Sequence, residues 1–273
     1  MSTALPCTAL TPVGDTNHAP CPAPPLGGIV FDVPDVFYDA TVWRRWLFQM
    51  LGRMGVSPSY LDFHRAWENQ LVDVHRGRRE YGDALQCFLL SQGLSWAQVD
   101  EIEASCRIKR QQLEIDVRPL LGVARVVEEL NRRKLPLVAW ADVPHSAAKL
   151  AERLDRLVPR ARFAAVLTSL ELECAQPAVE CYRATVEQLG CEPEQVLYVG
   201  HDAEHLAGAA SFGLKTAAVN YEATARADFP LARLEELVPL VDRLRTQSGT
   251  LVVQPAPAAT LPLAVELHGA NRT

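Results

Sequence analysis

Short, nearly continuous apolar runs alternate with amphipathic segments from residue 27 to residue 245, as in strands buried on both faces and the helices that cover them. Strands are predicted at 28–32, 135–141, 163–169, 195–200 and 215–220. Helices are predicted at 120–133, 145–156, 177–189, 203–212 and 231–245. Pro177 is predicted in the first turn of its helix, where proline is tolerated, and Gly213 is predicted to end the following helix. The pattern therefore indicates an α/β fold with a doubly wound parallel sheet.

A long insertion interrupts this alternation after the first strand. Roughly 80 residues separate that strand from the helix before the second one, far more than a crossover needs. Helical periodicity predicts four helices in the insertion, at 39–54, 58–75, 80–92 and 95–114. We therefore predict an α/β core formed by 27–37 and 115–245, with 38–114 as an inserted helical cap.

Both ends of the chain have a different composition. Residues 1–26 contain six prolines among small and polar residues, so they cannot bury enough apolar surface to offset the entropy of ordering. We predict a disordered proline-rich tail there and a flexible tail at 246–273. Within the second tail, residues 251–254 (LVVQ) are compatible with a short edge strand.

The net charge and the cysteines indicate which binding partners and which cellular compartment to expect for this protein. The formal net charge of −6 argues against nucleic acid or an anionic membrane surface as the main partner. No apolar run approaches the roughly 20 residues that cross a bilayer, and no basic segment followed by an apolar one resembles a secretion signal. The seven cysteines are scattered and include no C-x-x-C pair, which favours a reducing cytoplasmic location.

The first predicted strand ends at a carboxylate, Asp32, which is followed by Val33, Pro34 and Asp35. This arrangement, with a helical insertion directly after it, resembles the haloacid dehalogenase-like (HAD) hydrolase superfamily, and within it the subgroup with a helical cap. The resemblance extends over about residues 27–245 and implies a Rossmann-like core. It also implies that Asp32 is the nucleophile that attacks phosphorus and becomes an aspartyl phosphate.

The residue implied as the general acid and base is substituted. In the family, a second aspartate, two residues after the first, protonates the leaving group and later activates water. Pro34 occupies this position, and a pyrrolidine ring cannot transfer a proton. Asp35 lies one residue too late, on a backbone fixed by the proline, and is the alternative candidate for this role.

Three further positions depart from the family pattern. Ala141 replaces a hydroxyl residue that binds phosphoryl oxygens, and Asp142 replaces an asparagine, so a carboxylate would repel the anion. Gln176, before a proline, replaces a lysine that neutralises the nucleophile and phosphate. His201 and His205 replace two carboxylates that hold Mg²⁺, an ion that prefers hard oxygen ligands. The resemblance therefore implies that little of the usual phosphoryl-transfer machinery is left.

Alternative interpretations remain for several of these residues. Asp32 is either a nucleophile or a relic that caps the following loop. His201 and His205 are four residues apart, so they share a helix face and, with Asp32, could form a two-histidine, one-carboxylate site for a transition metal. Otherwise no metal or other cofactor is expected, and Mg²⁺ is expected only if the site is active.

Three hypotheses of function follow. The first is a catalytically impaired or inactive HAD-like protein, a binding or assembly module for an unidentified protein or small ligand. It rests on the expectation that no positive charge or proton donor faces Asp32. The second is an active hydrolase with a rebuilt site, using Asp32 on a small phosphoester or haloacid. The third is an interaction protein whose two tails recruit a partner.

Overall fold

The computed structural model describes residues 24–246 and contains a six-stranded sheet. The strands are β1 Gly28–Asp32, β2 Leu137–Ala141, β3 Ala165–Thr168, β4 Val196–Gly200, β5 Lys215–Ala218 and β6 Phe229–Pro230. All neighbouring strands are parallel, in the order β3-β2-β1-β4-β5-β6. The predicted α/β class with a parallel sheet is confirmed. The sequence pattern gives no signal for β6, because two residues are too few to show a periodicity.

Helices cover both faces of the sheet and form a separate apolar core on each. These core helices are α5 Val123–Arg132, α6 Ala147–Leu157, α7 Ser169–Leu172, α8 Val179–Leu189, α9 Ala203–Phe212 and α10 Leu237–Thr246, with 3-10 turns at Pro193–Gln195 and Leu234–Glu236. Successive β1 residues point to opposite faces: Ile29 and Phe31 pack in the cluster with α5, α6 and α10, and Val30 in the cluster with α8 and α9.

Four helices between β1 and α5 form a unit with its own apolar core. They are α1 Thr41–Arg53, α2 Tyr60–His75, α3 Tyr81–Ser91 and α4 Trp96–Ile115, and we refer to them as the cap helices. Phe63, Trp67 and Phe88 are buried at the centre of this core, with edge-to-face ring contacts. All four helices were predicted to within two residues at both ends. The domain limits 27–37, 38–114 and 115–245 stay a prediction.

The predicted starts of four core helices are too early: α5 begins at Val123 rather than 120, α6 at Ala147 rather than 145, α8 at Val179 rather than 177, and α10 at Leu237 rather than 231. The peptide bond between Gln176 and Pro177 is cis, and α8 begins only at Val179, so Pro177 is not in its first turn. Ala178 precedes the helix with extended backbone angles, φ −60° and ψ 136°. Gly213 does end α9, with φ 100°, a conformation that glycine adopts without steric cost.

Arg153 of α6 joins both ends of the cap to the core. Its guanidinium donates to the hydroxyl of Tyr38, at 2.7 Å, and to the carboxylate of Glu114 at the end of α4. Arg153 is only 9% exposed, whereas Arg156, which also contacts Glu114, lies nearer the surface. The segments that enter and leave the cap are therefore fixed by one buried side chain.

Several sequence-based expectations lie outside the described residues. The structure describes nothing of 1–23 or 247–273, so the two predicted tails and the edge strand at 251–254 stay predictions. Within residues 24–246, no helix is both long and apolar enough to cross a membrane.

Candidate functional site

The candidate site lies where three adjacent strands of the parallel sheet end. Asp32 closes β1, the central strand, and pairs in register with Trp140 of β2. Asp142 follows β2, and His201 follows β4. Carboxyl ends of parallel strands meet at one edge of a sheet, and ligands bind there where the strand order changes direction.

Asp32 is a buried carboxylate held by the chain itself. It is 2% exposed. Its Oδ2 atom lies 3.2 Å from the hydroxyl of Tyr198, 3.2 Å from Nδ1 of His205 and 3.9 Å from Nδ1 of His201. A buried carboxylate is stable only when it is paired or hydrogen-bonded, and Tyr198 and His205 supply those contacts.

His205 brings a positive charge to this carboxylate. Burial disfavours its charged form, but the hydrogen bond and the charge of Asp32, with Asp202 and Asp142, raise the pKa of His205 to about 9. His205 is therefore an imidazolium at neutral pH, and Nδ1 donates to Asp32. The expectation that no positive charge or proton donor faces Asp32 is wrong, because His205 and Tyr198 both do.

Hydrogen bonds to the backbone of α9 fix the position of His205. Asp202 caps the helix: its Oδ1 accepts from the N–H of Glu204 at 2.8 Å and of His205 at 2.9 Å. Tyr182 of α8 donates its hydroxyl to the carbonyl of His205, at 2.8 Å. Gly208 allows this close packing, because a Cβ there would lie 2.6 Å from the Tyr182 hydroxyl.

Asp142 is a second, partly buried carboxyl group on the other side of His205. Its Oδ2 lies 3.8 Å from Nε2 of His205 and accepts from the N–H of Gln176 at 3.2 Å. Burial raises the pKa of Asp142 to about 7, an effect that His205 opposes and Asp32 strengthens. Near neutral pH, Asp142 therefore exists in both protonation states.

The carboxylate of Asp35 is bound by residues at the start of the cap. Asp35 has a positive φ of 56°, and its carboxylate accepts from the N–H of Ala40 at 2.8 Å and contacts Arg44 of α1 at 3.4 Å. His201 lies between the carboxylates of Asp32 and Asp35, with Nε2 3.5 Å from Oδ2 of Asp35. Asp35 thus connects the site to the cap helices.

Tyr198 is the site residue that sequence reasoning missed. It is fully buried in β4, and its hydroxyl lies 3.2 Å from Asp32 Oδ2 and 3.1 Å from Gln176 Oε1. Gln176 therefore reaches the nucleophile position only through this tyrosine. One sequence signal was available: a phenol within an apolar strand, two residues before Gly200. A Cβ at Gly200 would lie 2.6 Å from the Tyr198 ring, so the glycine leaves room for it.

Comparison with known proteins decides the family. The family model described as haloacid dehalogenase-like hydrolase matches residues 27–213. The chain belongs to this family. Over 126 residues it is 31% identical to pyrophosphatase PpaX of Bacillus cereus (strain AH820), a match that covers 44% of the chain and 57% of that protein. The chain thus spans little more than half the length of this curated relative.

Solved HAD structures share the fold. L-2-haloacid dehalogenase from Xanthobacter autotrophicus, with chloropropionic acid covalently bound, has a TM-score of 0.56 at 18% identity, covering 80% of the chain and 98% of that protein. A putative β-phosphoglucomutase from Thermotoga maritima has a TM-score of 0.56 at 17% identity, covering 79% and 98%. At such identities the likeness extends to the fold alone.

Two positions where the HAD pattern has a proton donor and a hydroxyl hold Pro34 and Ala141. Pro34 forms an isolated bridge with Tyr38 and offers no proton. Ala141 is fully buried, and its neighbour in register on β3 is Thr168, a buried hydroxyl with no hydrogen-bond partner among the described residues. The hydroxyl that the family places at the end of its second strand is therefore absent from β2.

A HAD-type Mg²⁺ ion does not fit these residues. Among residues 24–246, no three His, Cys, Asp or Glu side chains are arranged to hold a metal ion. His201 and His205 stand where the family has carboxylates, and Nδ1 of His205 is already hydrogen-bonded to Asp32. A protonated imidazole cannot ligate a metal. The alternative of a transition-metal site formed by His201, His205 and Asp32 has no geometric support either, because no such group of three is found among residues 24–246.

Proposed function

We propose that this chain is a HAD-family protein that no longer transfers phosphoryl groups and acts as a binding or assembly module. The observation that carries the proposal is the ion pair between His205 and Asp32, whose atoms lie 3.2 Å apart. The imidazolium takes the place of a metal ion beside the nucleophile position. The buried carboxylate is thereby neutralised within the chain.

Each missing group removes a separate contribution to catalysis. A proton-transfer or anion-stabilising contact typically supplies about two to three powers of ten in rate. Pro34 cannot act as the acid, Ala141 cannot donate to an oxyanion, and Gln176 is uncharged and bound to Tyr198. Asp142 adds a second carboxyl group where phosphate would dock. Together these substitutions support loss of the phosphoryl-transfer reaction.

The proposed partner is an unidentified protein or small ligand in the cytoplasm. The net charge of −6 makes nucleic acid and anionic membranes poor candidates. The cap helices and the α/β core each enclose clusters of buried apolar residues. Both units therefore fold without catalysis being required, and their surfaces can serve for binding.

The test is hydrolysis by the purified full-length chain, with and without Mg²⁺. Substrates are a generic aryl phosphate, pyrophosphate and a 2-haloacid, and Asp32→Asn is the matched control. We expect wild type and Asp32→Asn to show the same background rate on all three. Robust Mg²⁺-dependent phosphate release that disappears in Asp32→Asn would contradict the proposal.

A second candidate function is a hydrolase with a rebuilt, metal-independent site. The pKa of about 9 for His205 favours it, because a fixed cation beside Asp32 could stabilise an anionic substrate. Asp32 would then be the nucleophile toward a small phosphoester or a haloacid. Halide or phosphate release without metal that is lost in Asp32→Asn, together with a covalent adduct on Asp32, would favour this candidate over the first.

A further inference from the structure

Two cysteines outside the catalytic positions lie in contact. The Sγ atoms of Cys174 and Cys181 are 3.0 Å apart. Cys174 lies in the loop after α7 and is partly exposed, whereas Cys181 is buried in the first turn of α8. Both are free thiols. A disulfide needs the two sulfurs only about 1 Å closer.

The loop between these cysteines carries Gln176. Its backbone N–H donates to Asp142, and its side-chain oxygen lies 3.1 Å from the hydroxyl of Tyr198. Gln176 Nε2 is buried and has no hydrogen-bond partner among residues 24–246. A covalent link across this loop would therefore restrain the residue that joins Asp142 to Tyr198.

We propose that Cys174 and Cys181 form a reversible disulfide when the protein meets a hydroperoxide, and that the bond ties down the loop carrying Gln176. This inference is independent of the proposed function, since it needs no turnover at Asp32. The reduced pair is the state in the structure.

The order of the steps follows from exposure. Cys174, which solvent reaches, attacks the peroxide oxygen as a thiolate, so an S–O bond forms, the O–O bond breaks and water or alcohol leaves. Burial, with the neighbouring Cys174, raises the pKa of the Cys181 thiol, so Cys181 reacts second. Its sulfur attacks the sulfenic sulfur, the S–S bond forms, and the hydroxyl leaves with the Cys181 proton as water. Two thiols are oxidised and one peroxide is reduced.

Other cysteines of the described region serve as internal references. Cys87 is exposed, Cys106 is buried, and Cys191 is partly buried with its thiol directed to the carbonyl of Leu189. Within residues 24–246, no second pair of cysteine sulfurs is in hydrogen-bonding contact. A selective reaction at Cys174 and Cys181 would therefore reflect their proximity rather than exposure alone.

The experiment maps disulfides in the full-length chain after treatment with hydrogen peroxide. Both cysteines fall in one tryptic peptide, 163–183, because the intervening residues include no Lys or Arg. We expect most of this peptide to lose two hydrogens and to resist alkylation, and a phosphine reductant to reverse both changes. Cys191→Ser and Cys87→Ser should leave this result unchanged.

Two results would overturn the proposal. One is peptide 163–183 remaining alkylated at both cysteines while the exposed Cys87 is oxidised. The other is Cys174 pairing equally with other cysteines. In Cys181→Ser, we expect Cys174 to accumulate as sulfenic or sulfinic acid. If the disulfide restrains the loop that carries Gln176, amide hydrogen exchange in residues 174–181 should be slower after oxidation. Unchanged exchange would contradict the proposed restraint of this loop.

Discussion

Nδ1 of His205 lies 3.2 Å from Oδ2 of Asp32, in a site where both side chains are largely withdrawn from solvent. The two residues are 173 positions apart in the chain and meet because β1 and β4 are neighbours in the sheet. Each partner stabilises the charged form of the other. The carboxylate keeps the imidazole charged, and the imidazolium offsets the cost of burying the carboxylate. The pair is therefore the electrostatic centre of the candidate site.

The first prediction concerns the charge of His205. In wild type, we expect this imidazole to titrate at about pH 9. Asp32→Asn removes the principal group that raises the pKa, so burial should then bring the pKa of His205 well below 9. Histidine NMR titrations of both proteins measure the change, and Asp39→Asn, a carboxylate outside the site, is the control. Titration of His205 near its ordinary pKa of 6.5 in wild type would refute the ion pair.

The second prediction concerns Asp142 and stability. Its folded-state pKa of about 7 lies above the ordinary 3.8, so its contribution to stability is fully present below about pH 4 and is lost as pH rises through 7. Asp142→Asn removes this loss and keeps an acceptor for the N–H of Gln176. We expect the variant to gain about 2 kcal/mol more in unfolding free energy at about pH 8 than at about pH 5.

Urea denaturation at the two pH values measures this difference. Asp155→Asn, at an exposed position of α6, is the control for an aspartate-to-asparagine change outside the site. A variant that is less stable than wild type at about pH 8 would mean that the ion pair with His205 outweighs the burial of Asp142.

Sequence reasoning succeeded where the signal is local. The strand that ends in Asp32, the cap helices and the positions of His201 and His205 all follow from runs and periodicities within a few residues. Parallel topology then implies that the carboxyl ends of β1, β2 and β4 meet. Asp32, Asp142 and His205 can therefore be placed in one site from the amino-acid sequence alone.

The remaining features depend on contacts between distant segments. In the sequence, Tyr198 is an ordinary strand residue. Its role becomes visible only when β4 pairs with β1 and Gln176 contacts its hydroxyl. The charge of His205 was also missed, because residue type alone suggests a neutral imidazole, and only burial beside Asp32 raises its pKa. The late start of α8 at Val179 follows a loop in which the N–H of Gln176 donates to Asp142, a contact between distant segments.

The third prediction concerns the buried hydroxyl of Tyr198. Tyr198→Phe removes a hydroxyl that lies within hydrogen-bonding distance of both Asp32 and Gln176, and each of their oxygens loses that contact. A buried polar group without its partner costs about 1–3 kcal/mol, so we expect a loss of that size in unfolding free energy. Tyr221→Phe, at a position 41% exposed, is the control and should change stability by less than about 0.5 kcal/mol. Equal effects of the two variants would argue against the role of Tyr198 in holding Asp32.

The fourth prediction concerns Arg153, which joins both ends of the cap to α6. Arg153→Met removes the guanidinium of a side chain that is 10% exposed and leaves the Tyr38 hydroxyl and the Glu114 carboxylate without it, so we expect a loss of about 3 kcal/mol in unfolding free energy. Arg156→Met is the matched control: Arg156 contacts the same carboxylate but is 48% exposed, and its loss should cost less than about 1 kcal/mol. Arg153→Met should also speed amide hydrogen exchange in the cap helices more than in β1 and β4, because it frees both connections of the cap. Equal stability losses in the two variants, or no selective change in the cap, would show that Arg153 does not hold the cap on the core.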